Sequence, residues 1–223
     1  MRNPAPPSAP LSWGSYWNRA GLWAQLSSIY RRLFAQREVR KYCDREFAQA
    51  GWFMEAGCGS GESAVRIPRR QRRFIALDLA AGALLRARTV GFYDQFLLGD
   101  LLRLPLATGS LDGIWNVGVM EHFAPADMPA ACQELLRVLK PGGKLCLFWP
   151  HTLSPTHLVF GQVQTMVQNF KPDFSFFPPS PSMLTPFNRP DTATMLRTCG
   201  ASAVRFHLSW VGGGLHYLVA VTK

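Results

Sequence analysis

This sequence has no cysteine pairing pattern. Its five cysteines, Cys43, Cys58, Cys132, Cys146 and Cys199, are odd in number and scattered, and none forms a C-x-x-C pair. That spacing excludes a disulfide framework and the usual zinc-binding arrangements, so the thiols are expected to be reduced and mostly buried. Long hydrophobic runs are missing too. No stretch is apolar for the roughly 18 residues that a membrane span requires, and the opening Met-Arg-Asn-Pro-Ala-Pro-Pro-Ser-Ala-Pro lacks the apolar centre of a secretory signal. A soluble, cytoplasmic chain is the expectation. No repeat recurs along it, which argues against a solenoid. Acidic residues are scarce: 14 Asp and Glu stand against 24 Lys and Arg, a formal charge of +10. Such a balance suits nucleic acid, an anionic membrane surface or an acidic substrate, but it speaks to association rather than to fold or chemistry.

What is present describes one domain. With 223 residues, 48% of them hydrophobic, the chain is long enough for one sizeable core and short for two. Residues 1–12, rich in proline and serine, are expected to be disordered. Residues 13–50 read as an N-terminal helical lid, since Leu22, Leu26, Ile29, Tyr30 and Leu33 recur at helical spacing while Arg31, Arg32, Arg37, Arg40 and Lys41 can face outward. Such a helix either packs on the domain or lies on a membrane surface.

From residue 51 to 223, short apolar runs alternate with helical stretches, the pattern of βαβ units and a mostly parallel sheet. Strands are predicted at Trp52–Ala56, Phe74–Asp78, Gln95–Leu98, Leu111–Val117 and Lys144–Phe148, with helices at Ala81–Arg88 and Met128–Lys140. Asp127 is placed to cap the second of these helices, Lys140 to sit in its last turn, and Pro141-Gly142-Gly143 to end it. A cap over residues 150–190 follows, rich in Pro, Phe and Ser, with a short helix carrying Val159, Val163, Met166, Val167 and Phe170. A helix near Asp191–Cys199 and strands Ala203–Ser209 and Leu215–Val221 complete the chain.

Chemistry concentrates after the first strand. Glu55 is followed by Gly57-Cys58-Gly59-Ser60-Gly61, a tight turn whose missing side chains let a ligand approach the backbone at the carboxyl end of the sheet. A dinucleotide loop runs G-x-G-x-x-G and seats a pyrophosphate on a helix start. Here the third glycine comes one residue early and Glu62 follows it at the expected start of a helix, which suits a cationic ligand better. Asp78 closes the second strand about twenty residues past the first glycine, where a carboxylate can accept both hydroxyls of a ribose. Gly99-Asp100-Leu101 follows the third strand, and Leu111 to Asn116 forms the fourth.

These blocks, together with Glu121-His122 and Leu139-Lys140-Pro141-Gly142-Gly143-Lys144, resemble in content and order the class I S-adenosylmethionine (SAM) methyltransferases, including the ubiquinone-biosynthesis-like and small-molecule branches, from about Trp52 to Phe148. The resemblance implies an α/β Rossmann-like fold: a seven-stranded, mostly parallel sheet with helices on both faces, the N-terminal lid, and the cap after strand five. It implies SAM as cofactor and S-adenosylhomocysteine as product. Glu55, Gly57, Cys58 and Gly59 would surround the methionine half, Asp78 and Leu79 the ribose, Asp100 and Leu101 the adenine, and Asn116 the sulfonium and the floor of the substrate pocket. Gly61 and Leu101 also suit plain packing roles.

SAM carries its own activation, so the protein need only align a nucleophile and exclude water, with a base helping a hydroxyl or carbon acceptor. His122 and His151, near the mouth of the sheet, are the candidate catalytic bases, and pocket lining is the bland reading of both. Some relatives bind a metal through E-x-x-E-H, but Gly118 stands where the first Glu would be, and no metal is expected. The acceptor is expected to be a small apolar or aromatic molecule, with Tyr16, Trp17 and Phe160 in its pocket; Trp13 and the phenylalanines Phe170, Phe174, Phe176, Phe177 and Phe187 surround that region. An RNA methyltransferase ranks second. It rests on the basic run Arg66 to Arg73, which otherwise reads as a solvated loop at the amino end of strand two, opposite the cofactor. A SAM-binding protein without catalysis and a nicotinamide-dependent oxidoreductase complete the field.

Overall fold

A computed structural model describes residues 13–18, 35–150, 155–171, 188–211 and 214–223. Strands β1 (Ala50–Ala56), β2 (Gln71–Asp78), β3 (Gln95–Leu98), β4 (Leu111–Val117), β5 (Leu139–Pro150), β6 (Ala203–Val211) and β7 (Gly214–Thr222) form one sheet in the order β3-β2-β1-β4-β5-β7-β6. The first five pair in parallel, and β7 runs antiparallel to both β5 and β6. Around them lie α1 (Trp13–Asn18), α2 (Gln36–Glu46), α3 (Ala81–Thr89), α4 (Met128–Val138), α5 (Pro155–Gln168) and α6 (Arg189–Thr198). The predicted leucine-rich stretch of the lid and the phenylalanine-rich part of the cap lie outside the described residues, as does His151.

The alternation of side chains along each strand builds two cores. Phe53, Phe74, Ala76, Trp115, Cys146 and Phe148 turn to one face, where they meet Val39, Tyr42 and Cys43 of α2 and Leu84 and Ala87 of α3. Their sequence neighbours Met54, Ile75, Leu77, Ile114, Leu145 and Leu147 turn to the other, against Ala131, Cys132 and Leu135 of α4 and Leu196 of α6. Nearly every buried central-strand residue is therefore apolar, and the buried polar exceptions on these strands, Glu55, Arg72, Asp78 and Asn116, stand out.

Three local expectations are corrected. Residues 61–70, between β1 and β2, hold only turns, because Pro68 comes a few residues past the glycine loop and bars Ile67 from helical backbone. Lys140 belongs to β5 rather than to the helix: Leu139 is already extended (φ −72°, ψ 142°) and pairs with Leu111, and Pro141 holds Lys140 in the same region. Its ammonium instead reaches the Asp112 carboxylate at 2.8 Å. Asp127 makes no side-chain cap bond, since its own backbone is helical (φ −90°, ψ −18°) rather than extended.

The basic run does begin at the amino end of β2, where Arg66, Arg69, Arg70 and Arg73 are exposed as expected, but one of its arginines is not solvated. Arg72 is 3% exposed. Its guanidinium donates to the Ala48 carbonyl at 2.7 Å, the Phe47 carbonyl at 2.9 Å and the Pro68 carbonyl at 3.2 Å, and pairs with Asp44 at 3.0 Å. Arg69 holds the Phe92 carbonyl and Asp94. Arg70 holds Gln49 and Asp44. Together these contacts fasten the end of α2 to the start of β2.

Arg72→Ala would leave the Ala48, Phe47 and Pro68 carbonyls without this donor and Asp44 with Arg70 alone, and is expected to cost about 3–5 kcal/mol. Arg73→Ala, at an exposed neighbour, should stay within about 0.5 kcal/mol. Urea denaturation midpoints read both, and equal midpoints would refute the buried staple.

Candidate functional site

The strand order reverses between β1 and β4, and in open parallel sheets ligands occupy the crevice beyond the carboxyl ends at such a point. The loop leaving β1 is drawn onto the end of β2 by two bonds, as Gly57 N–H and Cys58 N–H both donate to the Leu77 carbonyl, at 2.8 and 2.9 Å. Gly57 has φ +75°, and a Cβ there would lie 2.7 Å from Cγ2 of Val119, in the turn after β4. Only glycine lets those two loops close on each other. Gly61, also at φ +75°, leaves 2.8 Å to Tyr93 and 3.0 Å to Ala87 for a Cβ, which makes it a packing glycine against α3.

Asp78 and Glu55 both fasten this loop. Asp78 Oδ2 accepts from Gly59 N–H at 2.8 Å and Oδ1 from Ala80 N–H at 2.9 Å, so the carboxylate is held in one orientation at the end of β2. Glu55 is buried and accepts from the Ser63 hydroxyl and the Tyr93 phenol. The Cys58 thiol is buried and donates to the Gly59 carbonyl at 3.6 Å.

Beside Asp78 the surface turns apolar. Leu79 is 59% and Leu98 60% exposed, and the register pairs Asp78 with Leu98. Asp100 is exposed, with Oδ1 accepting from Leu102 N–H at 2.9 Å. Leu101 is buried in the core. A carboxylate, an apolar ledge and a second carboxylate thus stand in a row along the ends of β2 and β3, a donor and surface set that fits an adenosine.

On the other side of the crevice, Asn116 at the end of β4 is fully buried, and neither its amide oxygen nor its amide nitrogen has a hydrogen-bond partner. Glu121, in the short 3-10 turn Met120–His122, is buried as well, with Oε2 unpartnered; burial pushes its carboxyl up to about 8. Buried polar atoms are normally satisfied, so these mark where a bound molecule would supply the missing groups.

A roof joins the two sides. Tyr16 and Trp17 of α1 are buried against Ala80 and Ala83 at the start of α3, while the Trp13 ring meets His122 edge-on, with centroids 4.6 Å apart. Tyr16 stacks edge-on with both tryptophans, at 5.6 and 5.1 Å. The structure therefore brings Gly57, Gly59, Asp78, Leu79, Asn116, His122, Tyr16 and Trp17 to one end of the sheet. Phe160 lies in α5, with its side chain outside the described part of the structure. Glu121, Trp13 and Tyr93 were not foreseen as site residues. The Glu-His dipeptide was the signal for the first, whereas Tyr93 reaches Glu55 from 38 residues away and left no local trace. Among the described residues, no group of three or more His, Cys, Asp or Glu side chains could hold a metal ion.

Residues 54–147 match the methyltransferase-domain family. Over 178 residues the chain is 29% identical to the malonyl-[acyl-carrier protein] O-methyltransferase of Serratia marcescens, covering 72% of this chain and 67% of that protein. It is 39% identical over 90 residues to the Yersinia pestis protein of the same name, covering 40% and 33%. The chain thus spans between a third and two thirds of these relatives' lengths. In fold it is similar to the 1,6-didemethyltoxoflavin-N1-methyltransferase of Burkholderia thailandensis, solved with 1,6-didemethyltoxoflavin and S-adenosylhomocysteine bound; the TM-score is 0.62 at 19% identity, covering 98% of this chain and 94% of that one. With the glycine loop, the Asp78 clamp and the sheet order on which they sit, the chain is similar in fold and in the arrangement of this site to the class I SAM-dependent methyltransferases.

Proposed function

We propose that this protein transfers a methyl group from SAM to a small apolar or aromatic molecule whose accepting atom carries a proton. The observation that carries the acceptor half is the α1 roof, in which Trp13, Tyr16 and Trp17 span the crevice from Ala80, next to Asp78, to His122. Aromatic side chains of this kind shape a pocket for an apolar ligand and keep water out.

When bound, SAM supplies a methyl already activated on its sulfonium. The chain's own residues divide the remaining work. Asp78 accepts the ribose hydroxyls. Leu79 and Leu98 cover the adenine, with Asp100 at its edge. The loop from Gly57 to Gly61 lies along the methionine part, where Glu55 keeps its shape. Asn116 offers an amide oxygen and an amide nitrogen to the polar groups at the reacting end. Glu121, neutral at pH 7 and beside His122, becomes a proton acceptor as the pH rises toward 8, so either residue takes the proton that the acceptor loses.

A second reading is methylation of a carboxylate on an acyl chain held by a carrier protein, favoured by the names of several relatives. A neutral Glu121 could donate to such a carboxylate, whereas the aromatic roof of α1 favours a small apolar acceptor. RNA loses its support, because Arg69, Arg70 and Arg72 are engaged with the chain's own carbonyls and carboxylates.

Calorimetry with S-adenosylhomocysteine is expected to show binding that Asp78→Asn weakens by about tenfold or more, a loss of about 1.4 kcal/mol, whereas NADH should not bind. Binding of NADH alone would overturn the cofactor assignment. Methyl-labelled SAM incubated with a small-molecule extract, malonyl-carrier protein and total RNA should label the first; label confined to either of the others would replace this reading, and cofactor binding with no label anywhere would favour a non-catalytic role.

Glu121 also predicts a pH dependence of stability. Its carboxyl titrates near 8 in the fold and near 4.5 when unfolded. Between those values the folded state holds a proton that the unfolded state has released. The contribution is therefore complete below about pH 4.5, falls by about 1.4 kcal/mol per pH unit through that window and levels off above about pH 8. Glu121→Gln should lack this slope in denaturation measured from pH 5 to 9, and parallel curves would disprove the buried neutral carboxyl.

A further inference from the structure

Much of the chain's positive charge gathers away from the crevice. Arg37, Arg40, Lys41 and Arg45 recur along α2 at spacings of three and four, so they share one face. Arg66, from the segment between β1 and β2, joins them, and with Asp44 they line an open cleft of about 520 Å³.

Five cations face one carboxylate there, and that carboxylate is already committed to Arg70 at 3.1 Å and Arg72 at 3.0 Å. Arg45 is held by Glu46 at 3.0 Å, and Arg66 donates to Gln36 Oε1 at 2.9 Å. Lys41 rests over the Tyr42 ring at 5.1 Å. Arg37 and Arg40 have neither an ion pair nor a hydrogen bond among the described residues. Like charges at such helical spacing oppose the helix, and the acids Asp44 and Glu46 are shared with Arg70, Arg72 and Arg205.

We propose that this cleft binds a ligand carrying two or more phosphate groups. Guanidinium groups match phosphate through paired donors, which favours phosphate over a scattered set of carboxylates. The span from Arg37 to Arg45 is about 12 Å at 1.5 Å per residue, too long for one phosphate and suited to a short run of them. The cleft's volume lies in the range of small-ligand sites. A nucleic-acid strand would need the basic surface to continue, and the arginines that would extend it, Arg69, Arg70 and Arg72, are turned onto the chain's own groups.

The ligand is either free in solution or the headgroup of a phosphorylated lipid, and two probes separate the sources. The variant is Arg37→Glu with Arg40→Glu and Lys41→Glu. It spares Arg66, which reaches the glycine loop through Gln36 and its 2.7 Å bond to the Glu62 carbonyl. Inorganic triphosphate is titrated calorimetrically at low salt, and co-sedimentation uses phosphatidylcholine vesicles with and without phosphatidylinositol bisphosphate. We expect saturable binding of triphosphate, of the phosphorylated vesicles or of both, weakened at least tenfold in the triple variant, while S-adenosylhomocysteine affinity stays unchanged as a check on folding. Binding of triphosphate alone assigns a soluble ligand, and retention on vesicles alone assigns a headgroup. Absence of both, binding that survives the charge reversal, or an RNA oligonucleotide that outcompetes triphosphate on the same residues would overturn the proposal.

Discussion

The hydrogen bond from Gly59 N–H to Asp78, 2.8 Å long, is the constraint on which the rest of the site depends. It joins the loop that leaves β1 to the end of β2, and so turns two adjacent strand ends into one rigid cradle. A carboxylate is the right partner for the task. It accepts from two backbone donors and still presents oxygen to a ligand, because its acceptor capacity exceeds two bonds. The second bond, from Ala80 N–H, extends the same grip to the start of α3, and α3 in turn supports Tyr16 and Trp17. Cradle and roof are consequently parts of one connected structure.

Charge is used in two distinct ways across the molecule. Arg72 is buried and surrounded by carbonyl oxygens and Asp44, so it acts as a structural cross-link at the amino end of the sheet. Arg37 and Arg40, on α2, are exposed and have no partner among the described residues. Composition counts all of these alike in the +10 total. Only the packing separates a cation that the fold has consumed from one that remains available to another molecule.

That distinction explains how much could be read in advance. The strand and helix order was legible because central strands buried on both faces must be apolar nearly throughout, and β3 and β4 fall on their predicted bounds, Gln95–Leu98 and Leu111–Val117. The glycine loop was legible because close backbone approach demands glycine at fixed positions, as at Gly57. The β1–β2 crossover was not, since a turn-only connection differs from a helix by where Pro68 falls. Nor was the fate of the arginines, because each of Arg69, Arg70 and Arg72 is satisfied by groups more than twenty residues away. Lys140 was misplaced by one plausible pattern, a basic residue in a last helical turn, that its following proline contradicts.

The polar groups at the end of β4 bear on the chemistry most directly. A fully buried amide and a buried carboxyl with unmet hydrogen bonds carry a cost of about 1–3 kcal/mol for each orphaned group. In an apolar sheet core that cost is easily avoided by a leucine, as at the neighbouring Ile114 and Leu147. Asn116 and Glu121 sit instead at the one edge of the core that opens onto the crevice, opposite Asp78 and below Trp13 and His122. In the function we propose, a ligand in the crevice pairs with these groups, and part of its affinity comes from those bonds. The same burial keeps Glu121 protonated near neutrality, and in the role we propose for it the carboxyl donates when a ligand arrives and accepts once a proton-bearing acceptor is held against it.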